Sequence, residues 1–75
     1  MDTTRHLTGV IHREDDTYVA LSPELDIAGQ GTTLEEARAN LVEAVELFFE
    51  AASDAEIGSR LHGNVYVTPI EVKVG

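Results

Sequence analysis

Seventy-five residues suffice for one domain, and a chain this short buries only about 60% of the surface its unfolded form exposes. Fourteen acidic residues face five basic ones, a formal charge of −9, so direct nucleic-acid binding, which needs Lys and Arg at phosphates, is not expected. The lack of cysteine excludes disulfides and thiolate metal sites, the start "MDTTRH" is unlike a signal peptide, and no stretch approaches the ~18 apolar residues of a membrane span; a soluble, cytoplasmic, single-domain chain over 1–75 is expected.

"RHLTGVIHR" (5–13) spaces Leu7, Val10 and Ile11 among polar residues and reads as a strand, with Gly9 a bulge or close-approach point. "EDDT" (14–17) is a polar turn, and "YVALS" (18–22) a second strand with Val19 and Leu21 on one face and Tyr18 and Ala20 on the other. So short a connection predicts an antiparallel hairpin. Pro23 stops regular pairing, and a short third strand is expected around Asp26 to Ala28.

"GQGTTLEEA" (29–37) raises the question of a phosphate loop. The P-loop lysine with its Ser/Thr and the third glycine of a dinucleotide fingerprint are both missing, and Glu35 and Glu36 occupy the first helical turn. A glycine turn leading into a capped helix is the simpler reading. Thr33 is the expected N-cap with Glu36 closing a capping box; Thr32 with Glu35 repeats the pattern one residue earlier.

The helix is predicted from Thr33 to Ala52. At 100° per residue Leu34, Ala37, Leu41, Val42, Ala44, Val45, Phe48, Phe49 and Ala52 form one broad arc that must lie on the sheet. Glu35, Glu36, Glu43, Glu46 and Glu50 fall on the opposite side with no Lys or Arg among them. Their like-charged neighbours cost about 0.2–0.5 kcal/mol each, so the ridge serves a partner or solubility rather than the helix itself. Arg38 enters the apolar arc, and Leu47 projects from the acidic side, where it can seat a second subunit. Residues 54–64 read as a connection with Gly58 and Gly63, and "VYVTPIEVKV" (65–74) as a last, valine-rich strand interrupted by Pro69. The expected fold is α+β, a small β-β-β-α-β sheet with one long helix across one face.

Catalytic chemistry is not indicated. His6 and His12 share a strand face but stand about 20 Å apart, too far to chelate one ion without help such as His62. The "EDD" cluster at 14–16 splays from a turn with nothing to shift its pKa, and Ser22, Ser53 and Ser59 lack a readable His/Asp arrangement. No metal, cofactor or enzymatic activity is expected.

The stretch "DDTYVALSPELDIAGQGTTLEEARANLVEAVELFFE" resembles the HicB family of antitoxins, through Asp16, Tyr18, Val19, Pro23, Glu24, Leu25, Gly31, Thr33, Glu36, Ala37, Glu43 and Ala44 in order. "TPIEVKV" is similar to the closing strand of short, stand-alone members. The resemblance implies a partial RNase H-like fold that binds and masks HicA, a small basic mRNA-cleaving toxin, and self-associates into dimers or tetramers. Many members add a C-terminal DNA-binding segment; this sequence ends at Gly75, so no such domain is expected. The family's Pro-acidic-Leu-Pro-Gly step is altered here to Pro23-Glu24-Leu25-Asp26-Ile27. Candidate toxin contacts are Glu14, Asp15 and Asp16, the segment Glu24 to Asp26, and Glu43, Glu46 and Glu50. Candidate self-association residues are Leu47, Val65 and Val67. The alternative is an orphan homo-oligomeric module that retains only the fold.

Overall fold

A computed structural model describes residues 5–61, 63 and 65–75. Three strands, β1 (Val10–Glu14), β2 (Thr17–Ser22) and β3 (Ile27–Gly31), form an antiparallel sheet in the order β1-β2-β3. They are followed by a long helix, α1 (Leu34–Ala51), and a short one, α2 (Asp54–Leu61). The molecule is therefore a small α+β fold.

The β1–β2 hairpin closes through Asp15 and Asp16, between the paired residues Glu14 and Thr17. Asp15 takes φ 54°, the positive value that primed turns require at their first central residue, and the Arg13 side chain donates to its carbonyl at 2.8 Å. Between β2 and β3, the Asp26 amide returns to the Ser22 carbonyl at 2.8 Å, with Asp26 at φ 55°. This turn drives Leu25 into the interior, where it is the largest fully buried side chain.

The pairing register puts Ile11, Tyr18, Ala20, Ser22, Ile27, Gly29 and Gly31 on the face under α1. The core there is thin: Ala20, Ala37 and Leu41 are buried, with Ile11, Tyr18, Ile27 and Val45 packed around them. Gly29 and Gly31 lie within β3 and do not form a turn. Their reason is proximity. A Cβ on Gly29 would stand 2.5 Å from the Leu41 amide nitrogen, and one on Gly31 2.8 Å from that of Ala37. The backbone of α1 thus rests almost directly on the backbone of β3. The larger apolar residues Val10, Val19 and Leu21 alternate onto the sheet's other face.

Helix α1 starts as its sequence demands. The Thr33 hydroxyl accepts from the Glu36 amide at 3.0 Å, and the Glu36 carboxylate accepts from the Thr32 amide at 2.9 Å. This reciprocal cap takes the Glu36 amide, and the carboxylates of Glu35 and Glu36 stand in the first turn, where they disfavour a phosphate. The helix ends at Ala52, in extended conformation, whose amide bonds the Phe48 carbonyl.

Two expectations are corrected. The segment 54–64, expected as a connection, contains α2, started by Ser53, whose hydroxyl accepts from the Glu56 amide at 3.1 Å. Asp54 and Glu56 in its first turn and Arg60 in its last complement the helix dipole. Residues 65–74, expected as the closing strand, pair with no strand and are exposed throughout, so the order is β-β-β-α-α. The alternation there is real, but the segment lies unpaired, apart from the sheet. No helix among the described residues is long and apolar enough to cross a membrane.

Candidate functional site

The arc predicted for α1 meets the sheet as expected at its centre: Ala37 and Leu41 are buried, and Ala44, Val45, Phe48, Phe49 and Ala52 are half-buried. Its flank is not covered. Val42 is exposed because α1 packs mainly on β3 and β2 and barely on β1, and Leu34, though on the buried side, is exposed at the helix's first position. Opposite the buried face, Glu35, Glu43, Glu46 and Glu50 are all exposed. The last three stand about 4.5 and 6 Å apart along the helix axis. Among the described residues no Lys or Arg forms an ion pair with them; the one charged pair in reach is His12 Nε2 with Glu14 Oε1, at 3.6 Å on β1. Leu47 is 56% exposed beside this stripe.

The other acidic candidates do not converge. Glu14, Asp15 and Asp16 lie at the hairpin end of the sheet, and Glu24 and Asp26 at the opposite end, separated by the length of β2, about 17–20 Å. Glu24 is engaged internally: Oε2 accepts from the Thr8 amide at 2.9 Å and Oε1 from the Ser22 hydroxyl at 3.4 Å. Burial pushes its carboxyl up. Hydrogen bonds from the Thr8 side chain, its own amide, the Thr8 amide and Ser22 outweigh that and hold it below the usual glutamate value. It acts as a clip between the β2–β3 turn and the segment before β1, which makes it a poor partner contact.

That segment, residues 5–9, and the exposed flank of α1 bound an open groove of about 1150 Å³. Leu41, Val42, Val45 and Phe49 supply its apolar lining, with Arg5, Arg38, Glu46 and Glu50 among its charged residues. Arg38 thus places its charge on the groove, not in the core. At the far end the two phenylalanine rings of α1 meet edge to face, 5.5 Å apart, each beneath a guanidinium: Arg5 lies 5.2 Å from the Phe49 centroid and Arg60 5.4 Å from that of Phe48. Arg60 also donates to the Leu25 carbonyl at 2.6 Å, tying α2 to the β2–β3 turn.

Sequence reasoning missed the roles of Arg5, Arg60 and Leu25. Only Ser53-x-x-Glu56, a capping-box pattern, was there to announce α2. Val65 and Val67 lie exposed in the unpaired segment, and His62 lies outside the described residues. His6 lines the groove and His12 faces Glu14. Among the described residues no group of three or more His, Asp or Glu side chains is arranged to hold a metal ion. No protein-family model, curated protein or solved structure matches the chain.

Proposed function

We propose that this protein is a HicB-like antitoxin that binds a small basic HicA-type toxin and masks it by occlusion. The observation that carries the reading is the outward stripe of Glu35, Glu43, Glu46 and Glu50, exposed and without a cation partner among the described residues. Glu43, Glu46 and Glu50 are like-charged neighbours on one helix face and oppose helix formation mildly, and a basic partner converts that cost into attraction. The ordered set from Asp16 to Ala44 supports the family reading, as does the arrangement of three strands followed by a long capped helix. The mechanism asks no chemistry of this chain. Long-range attraction raises the rate of encounter, and the covered toxin surface no longer admits RNA.

The test is co-expression with a small basic protein encoded beside it. A stable complex, relief of growth arrest, and binding that weakens at least tenfold in Glu43→Gln/Glu46→Gln/Glu50→Gln and with rising salt are the expected results. No complex and no relief of arrest overturns the proposal and leaves the orphan homo-oligomeric module.

A further inference from the structure

Residues 5–9 and α2 lie far apart in the sequence, and neither is anchored by strand pairing or by a fully buried side chain. Residues 5–9 belong to no strand. Helix α2 has eight residues, none of them buried, with Gly58 in its middle. A helix that short is marginal in water without tertiary support, and an internal glycine weakens it further. Two specific contacts tie each segment down, and their anchors are neighbours. The Thr8 amide donates to Glu24 Oε2 at 2.9 Å, and Arg60 donates to the carbonyl of the next residue, Leu25, at 2.6 Å. Arg5 lies 5.2 Å from the Phe49 centroid, and Arg60 5.4 Å from that of Phe48, whose ring meets Phe49 edge to face.

These contacts close a ring. It runs from Thr8 to Glu24, along the chain to Leu25, across to Arg60, over Phe48 to Phe49, and back to the first segment at Arg5. We infer that this ring is a latch: residues 5–9 and α2 open and close as one unit at the end of α1, while the body of α1 stays on the sheet. The physical reason is shared anchorage. When α2 leaves, the Leu25 carbonyl loses its donor, in a turn whose Leu25 side chain is fully buried. Phe48 loses at the same moment the cation over its ring. Both losses loosen the sites that Thr8 and Arg5 grip. When residues 5–9 leave, Glu24 and Phe49 are freed in the same way, and the hold of Arg60 slackens. The contacts that seat α1, at Gly29, Gly31 and Leu41, lie outside the ring and persist whether it is open or shut. Closed, the latch covers the paired rings of Phe48 and Phe49; open, it bares them. It rests on no part of the antitoxin reading.

Amide hydrogen exchange on the full chain, followed by NMR, tests this at three places: Thr8, α2, and Leu41 with Val45 in α1. Arg5→Ala is expected to speed the α2 amides about threefold or more, although the substitution lies in the other segment. Arg60→Ala is expected to speed the Thr8 amide to a like degree. In each variant the factor at Thr8 matches that in α2 within about twofold, and Leu41 and Val45 are unchanged. Both arginines are exposed, so neither replacement disturbs the core. Phe49→Leu keeps the apolar bulk but removes the aromatic face under Arg5, and is expected to act as Arg5→Ala does. Arg13→Ala removes the same charge at the hairpin, outside the ring, and is expected to leave both segments unchanged. Effects confined to the substituted segment overturn the proposal, because the two then open independently. Equal acceleration at Leu41 and Val45 overturns it as well, since the opening is then global. So does an Arg13→Ala variant that loosens both segments, which makes the effect one of net charge. No change in either segment on Arg5→Ala or Arg60→Ala also sinks it, because the ring then holds nothing.

Discussion

Replacing Gly29 by alanine isolates the contact on which the fold rests. The added Cβ would lie 2.5 Å from the Leu41 nitrogen and 2.9 Å from both the Asn40 carbonyl carbon and Leu41 Cα. All three are backbone atoms in the middle of an 18-residue helix, so no side chain can rotate away. Restoring an ordinary contact of ~3.5 Å requires α1 to lift by about 1 Å. Overpacking of this kind costs about 1–3 kcal/mol, and the lift also opens the contacts of Ala37 and Leu41, the buried helix residues of a thin core. Alanine's smaller unfolded-state entropy returns about 0.4–1 kcal/mol. The net expectation is a loss of about 2 kcal/mol, out of a total of about 4–11 kcal/mol for a domain of this size. That is roughly a 10 °C fall in the thermal midpoint. Gly58 provides the matched control: it sits in α2, and a Cβ there meets nothing within 4 Å. Gly58→Ala is expected to raise the midpoint by about 2–6 °C through helix propensity alone. Both variants are compared with the parent by circular dichroism melts at one fixed protein concentration, because association makes the midpoint concentration-dependent. A Gly29→Ala midpoint within 2–3 °C of the parent's would refute the claim that α1 lies on bare strand backbone.

Thr33→Ala removes the acceptor for the Glu36 amide and is expected to cost about 1 kcal/mol in urea denaturation. For Glu24 the folded pKa is lowered, so its contribution is present above the unfolded value and is lost as pH falls through the folded one. Glu24→Gln should therefore be less stable than the parent at pH 7 and approach it below about pH 4; parallel denaturation curves across that range would count against the clip. Arg60→Ala deletes the hydrogen bond to Leu25 and the contact over Phe48, and is expected to cost about 1–2 kcal/mol and to speed amide exchange in α2 ahead of α1.

The hairpin, the capped helix and its apolar arc were legible because each is written in local terms: alternation around a short polar turn, a Thr-x-x-Glu start, and a 3.6-residue period. The glycines of β3 were misread for a complementary reason. Locally a Gly-x-Gly before a helix suggests a turn, whereas the need they meet is set by Leu41 and Ala37, ten and more residues away in the case of Gly29. The terminal segment shows the same limit. Alternation at Ile70, Val72 and Val74 says that a face is to be buried, but not where the burying surface lies. Charge was legible in amount and on α1 in direction, since helical period assigns it a side. It was not legible at Glu24, whose carboxylate is taken by Thr8, sixteen residues earlier.

The lack of β3 side chains under α1 at Gly29 and Gly31 has a mechanical consequence. A helix that rides on interleaved side chains can slide or tilt by letting rotamers change; here such adjustment has almost no material to work with where Gly29 and Gly31 meet α1. At those two positions a shift of the rod must carry the plate beneath it along. The stiff backbone fixes where the glutamates of α1 are anchored, while their exposed side chains keep their rotamer freedom.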